Sequence, residues 1–198
     1  THGSRPWGGV DPITVSAQII MGLQTIVSRQ TELTKEAAVI SVGKIKGGVR
    51  SNIIPEEVEL IGTIRTLDKD MQKIIHEKIR ITAENIAESA GATAEVDIQI
   101  GYPVTFNNLD LTRDMIGSLF QAAGEEIVHV MPAVTGAEDF SFFAMEVPAI
   151  YWFLGGMDTK KGPTNHHTPD FYLDESGMTV GVRALCYLCV DYAAKNPK

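Results

Sequence analysis

Residues 164–176 read TNHHTPDFYLDES, setting His166 beside His167, two of the chain's five histidines, directly before a Thr-Pro pair. Adjacent side chains point in different directions, so at most one of the two serves a given site. Pro169 fixes its own φ and biases Thr168 toward an extended conformation, which stiffens the loop behind the imidazoles. Stiffness suits a metal ligand, whose nitrogen must sit about 2.0–2.1 Å from a zinc ion. Asp170 and Asp174 are close enough in sequence to orient a ring from behind. A pair of exposed loop histidines has the same spacing, so this stretch alone leaves both readings open.

Three further stretches hold residues of chemical interest. In TGAEDFSFF, Glu138 and Asp139 follow a flexible turn and precede three aromatics. An apolar wall beside a carboxylate raises its pKa by desolvation, which prepares an acid or a base; the other reading is a helix cap whose Phe140, Phe142 and Phe143 fill a core. In THGSRPWGG, His2 lies in a Gly- and Pro-rich loop, either to donate to an oxyanion or simply exposed. Arg65 stands on the polar face of a half-buried strand, where a fixed guanidinium clamps a carboxylate bidentately or pairs with Glu59. Asn52 sits in the turn before that strand, a position where asparagine is usually structural. No G-x-S-x-G elbow and no Gly-rich phosphate loop occur, which counts against a serine hydrolase and a nucleotide site.

Those residues need elements to hold them. Asp11 and Pro12 are a helix start, followed by Ile13, Ala17, Ile20, Leu23 and Val27 at helical spacing. AAVISVGKIKGG reads as a strand. EEVELIGTIRTLD alternates, with Val58, Leu60, Gly62 and Ile64 on one face. A second amphipathic helix carries Met71, Ile75, Ile79 and Ile86 and ends at Gly91. ATAEVDIQI alternates again as a strand. Residues 1–104 thus read helix, strand, strand, helix, strand, a split β-α-β unit lacking its first strand. From about residue 105 come a helix capped by Asp110, a short strand at EIVHVMP, an apolar strand at PAIYWFLGG and a last helix from Glu175 to Ala194. This is the pattern of part of an α/β domain. The opening THGSRP lacks an initiator Met and reads as the middle of a longer polypeptide.

The composition narrows the partners. A formal net charge of −8 with no Lys/Arg run argues against nucleic-acid or anionic-membrane surfaces. No stretch approaches the roughly 20 apolar residues of a membrane span. Cys186 and Cys189 fall within an apolar helical run, away from the helix N-terminus where a redox pair is activated. They read as buried core thiols in a reducing, cytoplasmic setting.

Taken in order, HGSRPWGGVDPI, SNIIPEEVELIGTIRT, TGAEDFSFF and NHHTPDFYLDE resemble the metal-dependent amidohydrolases of the aminoacylase, carboxypeptidase G and hippurate hydrolase family, especially the branch that cleaves N-acyl amino acids. The resemblance spans essentially the whole chain. It implies an α/β and α+β architecture: a split β-α-β lid domain that dimerises (residues 1–104), then the C-terminal part of a zinc-peptidase-like α/β catalytic domain (residues 105–198). It implies that His167 is a metal ligand, with His166 its non-ligating neighbour. His2 is implied to polarise the scissile carbonyl in the partner subunit's active site. Arg65, assisted by Asn52, is implied to bind the substrate's free carboxylate, with Glu138 catalytic near the metals. Gly155 and Gly156 would let substrate approach the backbone. Two divalent ions per site (Zn, Mn, Co or Ni) and a homodimer are also implied. The family's remaining metal ligands and its Glu-Glu pair have no match in this sequence, so the expectation is a fragment inactive alone. Two alternatives stand beside it: a stand-alone dimerisation or binding module, and a dipeptide exopeptidase with the same chemistry.

Overall fold

Asp11 opens the first helix, α1 (Pro12–Gln30). Its carboxylate accepts from the amides of Ile13 and Thr14 at 2.9 and 3.4 Å, with Pro12 in the first turn. The computed structural model describes residues 1–158, 160–162 and 164–197, which divide into two compact units. One comprises residues 1–104 with 134–137, the other residues 105–133 with 138–198.

In the first unit, α1 buries Val15, Ser16, Ile19, Leu23 and Ile26. The stripe is therefore rotated from the expected one: Leu23 belongs to it, while Ile13 is 44% exposed. The choice of Ile13 and Ala17 over Val15 and Ile19 fails because both sets fit a helical period, and the packing partner selects between them. Strands β1 (Ala38–Gly47) and β2 (Val58–Thr66) pair antiparallel, from Ala38 opposite Thr66 to Gly47 opposite Val58, with a bulge between Val42 and Lys44. Gly62 faces that bulge, and a Cβ there would lie 2.4 Å from the Ser41 carbonyl oxygen. Only glycine allows this approach.

Helix α2 (Lys69–Ser89) is capped by Asp68, whose carboxylate accepts from the Met71 amide at 2.7 Å. It buries Met71, Ile75, Ile79, Ala83 and Ala87 against α1 and the hairpin, forming one core. It ends with Gly91 at φ 76° and the Ala92 amide donating to the Ala87 carbonyl, a Schellman-type closure. Beyond it, Ala94, Val96 and Ile98 turn inward onto this core as their alternation implies, but Ile100 is 78% exposed. The expected strand is not formed among the described residues. Alternation reports which face is buried, whereas a strand also requires a neighbour for its N–H and C=O groups. Here the Arg80 guanidinium donates to the Val96 carbonyl at 2.9 Å instead.

The second unit is built on α3 (Leu109–Ala123) and α5 (Met178–Lys195), with the short α4 (Phe140–Glu146) between them in sequence. Asn108, rather than the expected Asp110, caps α3 by accepting from the Leu111 amide at 2.9 Å. Met115, Ser118 and Ala122 of α3 and Gly181 and Ala184 of α5 are buried, and the Ser118 hydroxyl donates to Asp191 at 2.6 Å. Residues 126–132 and 148–154, expected as strands, pair with no strand among the described residues. A side chain does part of a neighbour's work: Asn107 accepts from the Tyr151 amide at 2.6 Å and donates to its carbonyl at 2.9 Å.

Cys186 and Cys189 are both exposed, contrary to the core reading. At 100° per residue they fall on the arc of α5 turned away from Gly181 and Ala184, alongside the exposed Val182 and Leu185. Among the described residues no helix is long and apolar enough to cross a membrane.

Candidate functional site

The first unit draws two of the candidate stretches together. Residues 1–3 lie against residues 52–54: His2 forms an isolated antiparallel bridge with Ile53, the Gly3 amide donates to the Asn52 carbonyl at 2.8 Å, and the Ile54 amide donates to the Thr1 carbonyl at 2.8 Å. His2 and Asn52 are thus neighbours through the main chain, a pairing that composition and periodicity gave no means of finding. The His2 ring is held by the turn it begins. Its Nδ1 lies 3.1 Å from the Ser4 amide nitrogen and 2.8 Å from the Ser4 hydroxyl, while the Arg5 amide donates to the His2 carbonyl.

Arg65 lies opposite Val39 near the end of the hairpin and is half-buried. It does not pair with Glu59, which is bridged by Lys44 at 3.3 Å across the strands. Its guanidinium donates to its neighbour's carbonyl, that of Ile64, at 3.0 Å. Among the described residues, that hydrogen bond leaves most of its donors uncommitted.

In the second unit, Glu138 precedes α4. Its carbonyl accepts from the fully buried Ser141 hydroxyl at 2.6 Å, and its carboxylate charge acts on the Tyr151 phenol. Burial first, then the neighbouring Glu138 carboxylate, then Asp139, push the Tyr151 phenol above its ordinary value. Tyr151 packs between Phe140 and Phe153, ring centroids 5.3 and 5.4 Å away. The apolar wall beside Glu138 therefore exists, although Phe142 and Phe143 are 51% and 67% exposed rather than core.

Gly156 accepts from the Asp174 amide at 2.8 Å, which closes the loop 156–174, and a Cβ on Gly177 would lie 2.8 Å from the Gly155 carbonyl oxygen. Within that loop His167 has φ 65°, the only non-glycine in the left-handed region among the described residues. That conformation costs an L-residue about 1–2 kcal/mol. It is imposed by the turn Asn165–Thr168, stapled by the Thr168 hydroxyl donating to the Asn165 carbonyl at 2.7 Å. The His166 ring meets Phe171 at 5.3 Å, and both imidazoles are exposed.

These residues do not make a metal centre unaided. Among the described residues no three His, Cys, Asp or Glu side chains are grouped to hold a cation. His167 offers one ligand nitrogen, whereas a two-metal centre needs several carboxylates and imidazoles. Nor do the clefts mark a site. One of about 240 Å³ between α3 and α5 is lined by Asp114, Ser118 and Asp191 among others. One of about 500 Å³ lies between His76, Arg80 and Ile98. Neither holds a candidate residue.

A mixed helix-and-strand chain with these four stretches in this order belongs to a family of hydrolases. The chain is a member of peptidase family M20/M25/M40, whose model matches residues 4–191. It is 35% identical over 196 residues to thermostable carboxypeptidase 2 of Saccharolobus solfataricus, covering 98% of this chain and 49% of that protein. It is 34% identical over 187 residues to N-acetyldiaminopimelate deacetylase of Leuconostoc mesenteroides, covering 93% and 47%. Among solved structures it resembles the Bacillus subtilis YXEP protein, a dinuclear metal binding peptidase of the M20 family, with a TM-score of 0.66 and 30% identity over 91% of this chain and 46% of that one. The chain spans about half the length of the curated relatives it matches.

Proposed function

We propose that this chain is part of a metal-dependent amidohydrolase that cleaves the amide bond of N-acyl amino acids, hippurate-like substrates included. The observation that carries the reading is the family match over residues 4–191, with a 34% identical relative named N-acetyldiaminopimelate deacetylase. In this reading Arg65, with Asn52, holds the free carboxylate of the substrate, and its uncommitted guanidinium donors suit that task. His2 donates to the amide oxygen, and Gly155 and Gly156 line the approach. Glu138 acts near the reacting groups, and its charge is felt by the neighbouring Tyr151 phenol. His167 supplies one nitrogen to a divalent ion whose other ligands lie outside these residues; zinc, manganese, cobalt and nickel all accept such donors. Residues 1–104 serve as a lid that joins two copies. The exposed Val39, Ile45 and Ile61 on the two-stranded hairpin favour association there. The setting is cytoplasmic.

The test is hydrolysis of N-acetyl and N-benzoyl amino acids with each metal in turn. This chain alone is expected to be inactive, and a longer protein joining it to the missing ligands is expected to turn over. In that protein, Arg65→Met should raise KM for acids at least tenfold, with a much smaller effect on carboxamide-blocked substrates. Equal rates on acids and carboxamides before mutation would overturn the assignment of Arg65. Absence of turnover with every metal would overturn the activity.

A further inference from the structure

Which nitrogen of His2 carries the proton is decided by the turn that follows it. The Ser4 amide nitrogen lies 3.1 Å from Nδ1 of His2 with its hydrogen directed at that atom. An amide N–H only donates, so the ring atom facing it must hold a lone pair. A neutral imidazole has one N–H and one lone pair, so its proton is on Nε2. The Ser4 hydroxyl, 2.8 Å from the same Nδ1, then donates as well, since no hydrogen remains there for it to accept.

We propose that Ser4 is a positioning residue that fixes His2 as the Nε2–H tautomer, so that its free edge presents a hydrogen-bond donor. The backbone keeps the arrangement in register. His2 is bridged to Ile53, the Gly3 amide is tied to Asn52, and the Arg5 amide returns to the His2 carbonyl at 2.8 Å. The ring is thereby anchored on one side, leaving Nε2 as its remaining hydrogen-bonding atom.

The tautomer selects the ligand. An Nε2–H edge takes an acceptor, such as a carbonyl oxygen or the oxyanion it becomes. In that form it offers no lone pair to a cation and no base to a proton. This deepens the proposed function, on whose role for His2 it rests, because a donor is what a developing oxyanion requires.

The experiment is a long-range proton–nitrogen correlation spectrum of the uniformly ¹⁵N-labelled protein, recorded above the histidine titration range and assigned with His2→Gln. The expected result is a single Nε2–H pattern for His2. An Nδ1–H pattern, or an even mixture, overturns the proposal. Ser4→Pro removes the amide hydrogen and should bring in an Nδ1–H population, with the amide signals of Ile26 and Ile75 reporting that the core is intact. If Ser4→Pro is folded and the ring pattern is unchanged, Ser4 does not set the tautomer. Ser4→Ala keeps the amide and should keep Nε2–H. In a longer active protein, Ser4→Pro should reduce kcat in proportion to the Nε2–H population lost, about twofold for an even mixture, with KM little moved, whereas His2→Gln removes this ring donor altogether. The tautomer is read without turnover, so a correct tautomer in an inactive protein would sink the function alone. An Nδ1–H ring in an active protein would sink this inference alone.

Discussion

The Gly3 amide donates to the Asn52 carbonyl at 2.8 Å, and a Cβ on Gly3 would stand 3.1 Å from both the carbon and the oxygen of that carbonyl. The neighbour is main chain and has no rotamer to change. Gly3→Ala should therefore push residues 1–3 off the 52–54 turn at a cost of about 1–3 kcal/mol. The strain is local, so thermal stability of the core should barely move. Amide exchange at Gly3 and Ile54 should accelerate about tenfold for each 1.4 kcal/mol. Unchanged exchange at both amides would mean that the turn moves aside freely.

How much of this was legible beforehand depended on whether the signal was local. Asp11 with Pro12, and Gly91 past α2, are written in adjacent residues, and both stand where they were expected. The α1 stripe was harder: its period was plain, but its phase depended on contacts with α2 and the hairpin. The segments at 94–100, 126–132 and 148–154 have strand-like composition, yet hydrogen-bonded pairing needs partners that no local pattern specifies. For the candidate site, residue types and motif order named His2, Asn52, Arg65, Glu138 and His167. The Ser4 contact to His2 and the Asn107 clamp on Tyr151 were not visible, because each depends on a main-chain path rather than a spacing rule.

Ile75 is completely buried at the meeting of α2 with α1 and the hairpin. Truncating it deletes methyl and methylene groups where the surroundings are least free to collapse. Ile75→Ala should lower unfolding free energy by about 2–5 kcal/mol, read as a fall in denaturant midpoint at constant slope. Val49→Ala, at a side chain 88% exposed, is the control and should shift it by less than about 0.5 kcal/mol. Equal shifts would contradict the core as described.

The cap of α2 makes stability depend on pH at both extremes. The Met71 amide, then the Lys35 ammonium at 2.9 Å, hold the Asp68 carboxyl below its ordinary value. Asp68 in turn raises Lys35. A lowered carboxyl contributes stability that is complete above its unfolded value of 3.8 and lost as pH falls through the lower folded value. A raised amine contributes stability that is complete below 10.5 and lost as pH rises through the higher folded value. Asp68→Asn should flatten both limbs while retaining much of the cap, since asparagine also caps helices. Denaturant midpoints at acid, neutral and alkaline pH distinguish this from Asp68→Ala, which should lose the cap throughout.

The Glu138 carboxylate helps to hold the Tyr151 phenol above its ordinary value, second to burial. Removing the carboxylate charge with Glu138→Gln should bring the Tyr151 phenol part of the way back toward its ordinary value, with burial sustaining the rest. Ultraviolet difference titration against Tyr151→Phe isolates this one phenol. If Glu138→Gln leaves the Tyr151 titration where it was, the carboxylate does not act on the phenol and burial alone holds it up.

Cys186 and Cys189 lie one helical turn apart on an arc of α5 shared with Val182 and Leu185, all exposed. A helix apolar on both faces is ordinarily a buried one. In this chain the arc is exposed nonetheless, so both thiols should be open and should react promptly with an aromatic disulfide reagent. Half-site or slow reaction would mean that a second copy covers the arc, and the rate would then rise on dilution. Val182→Asp separates the cases: a charge on an exposed arc leaves the helix and both thiol rates unchanged, whereas a charge in a covered arc drives the copies apart and speeds the thiols.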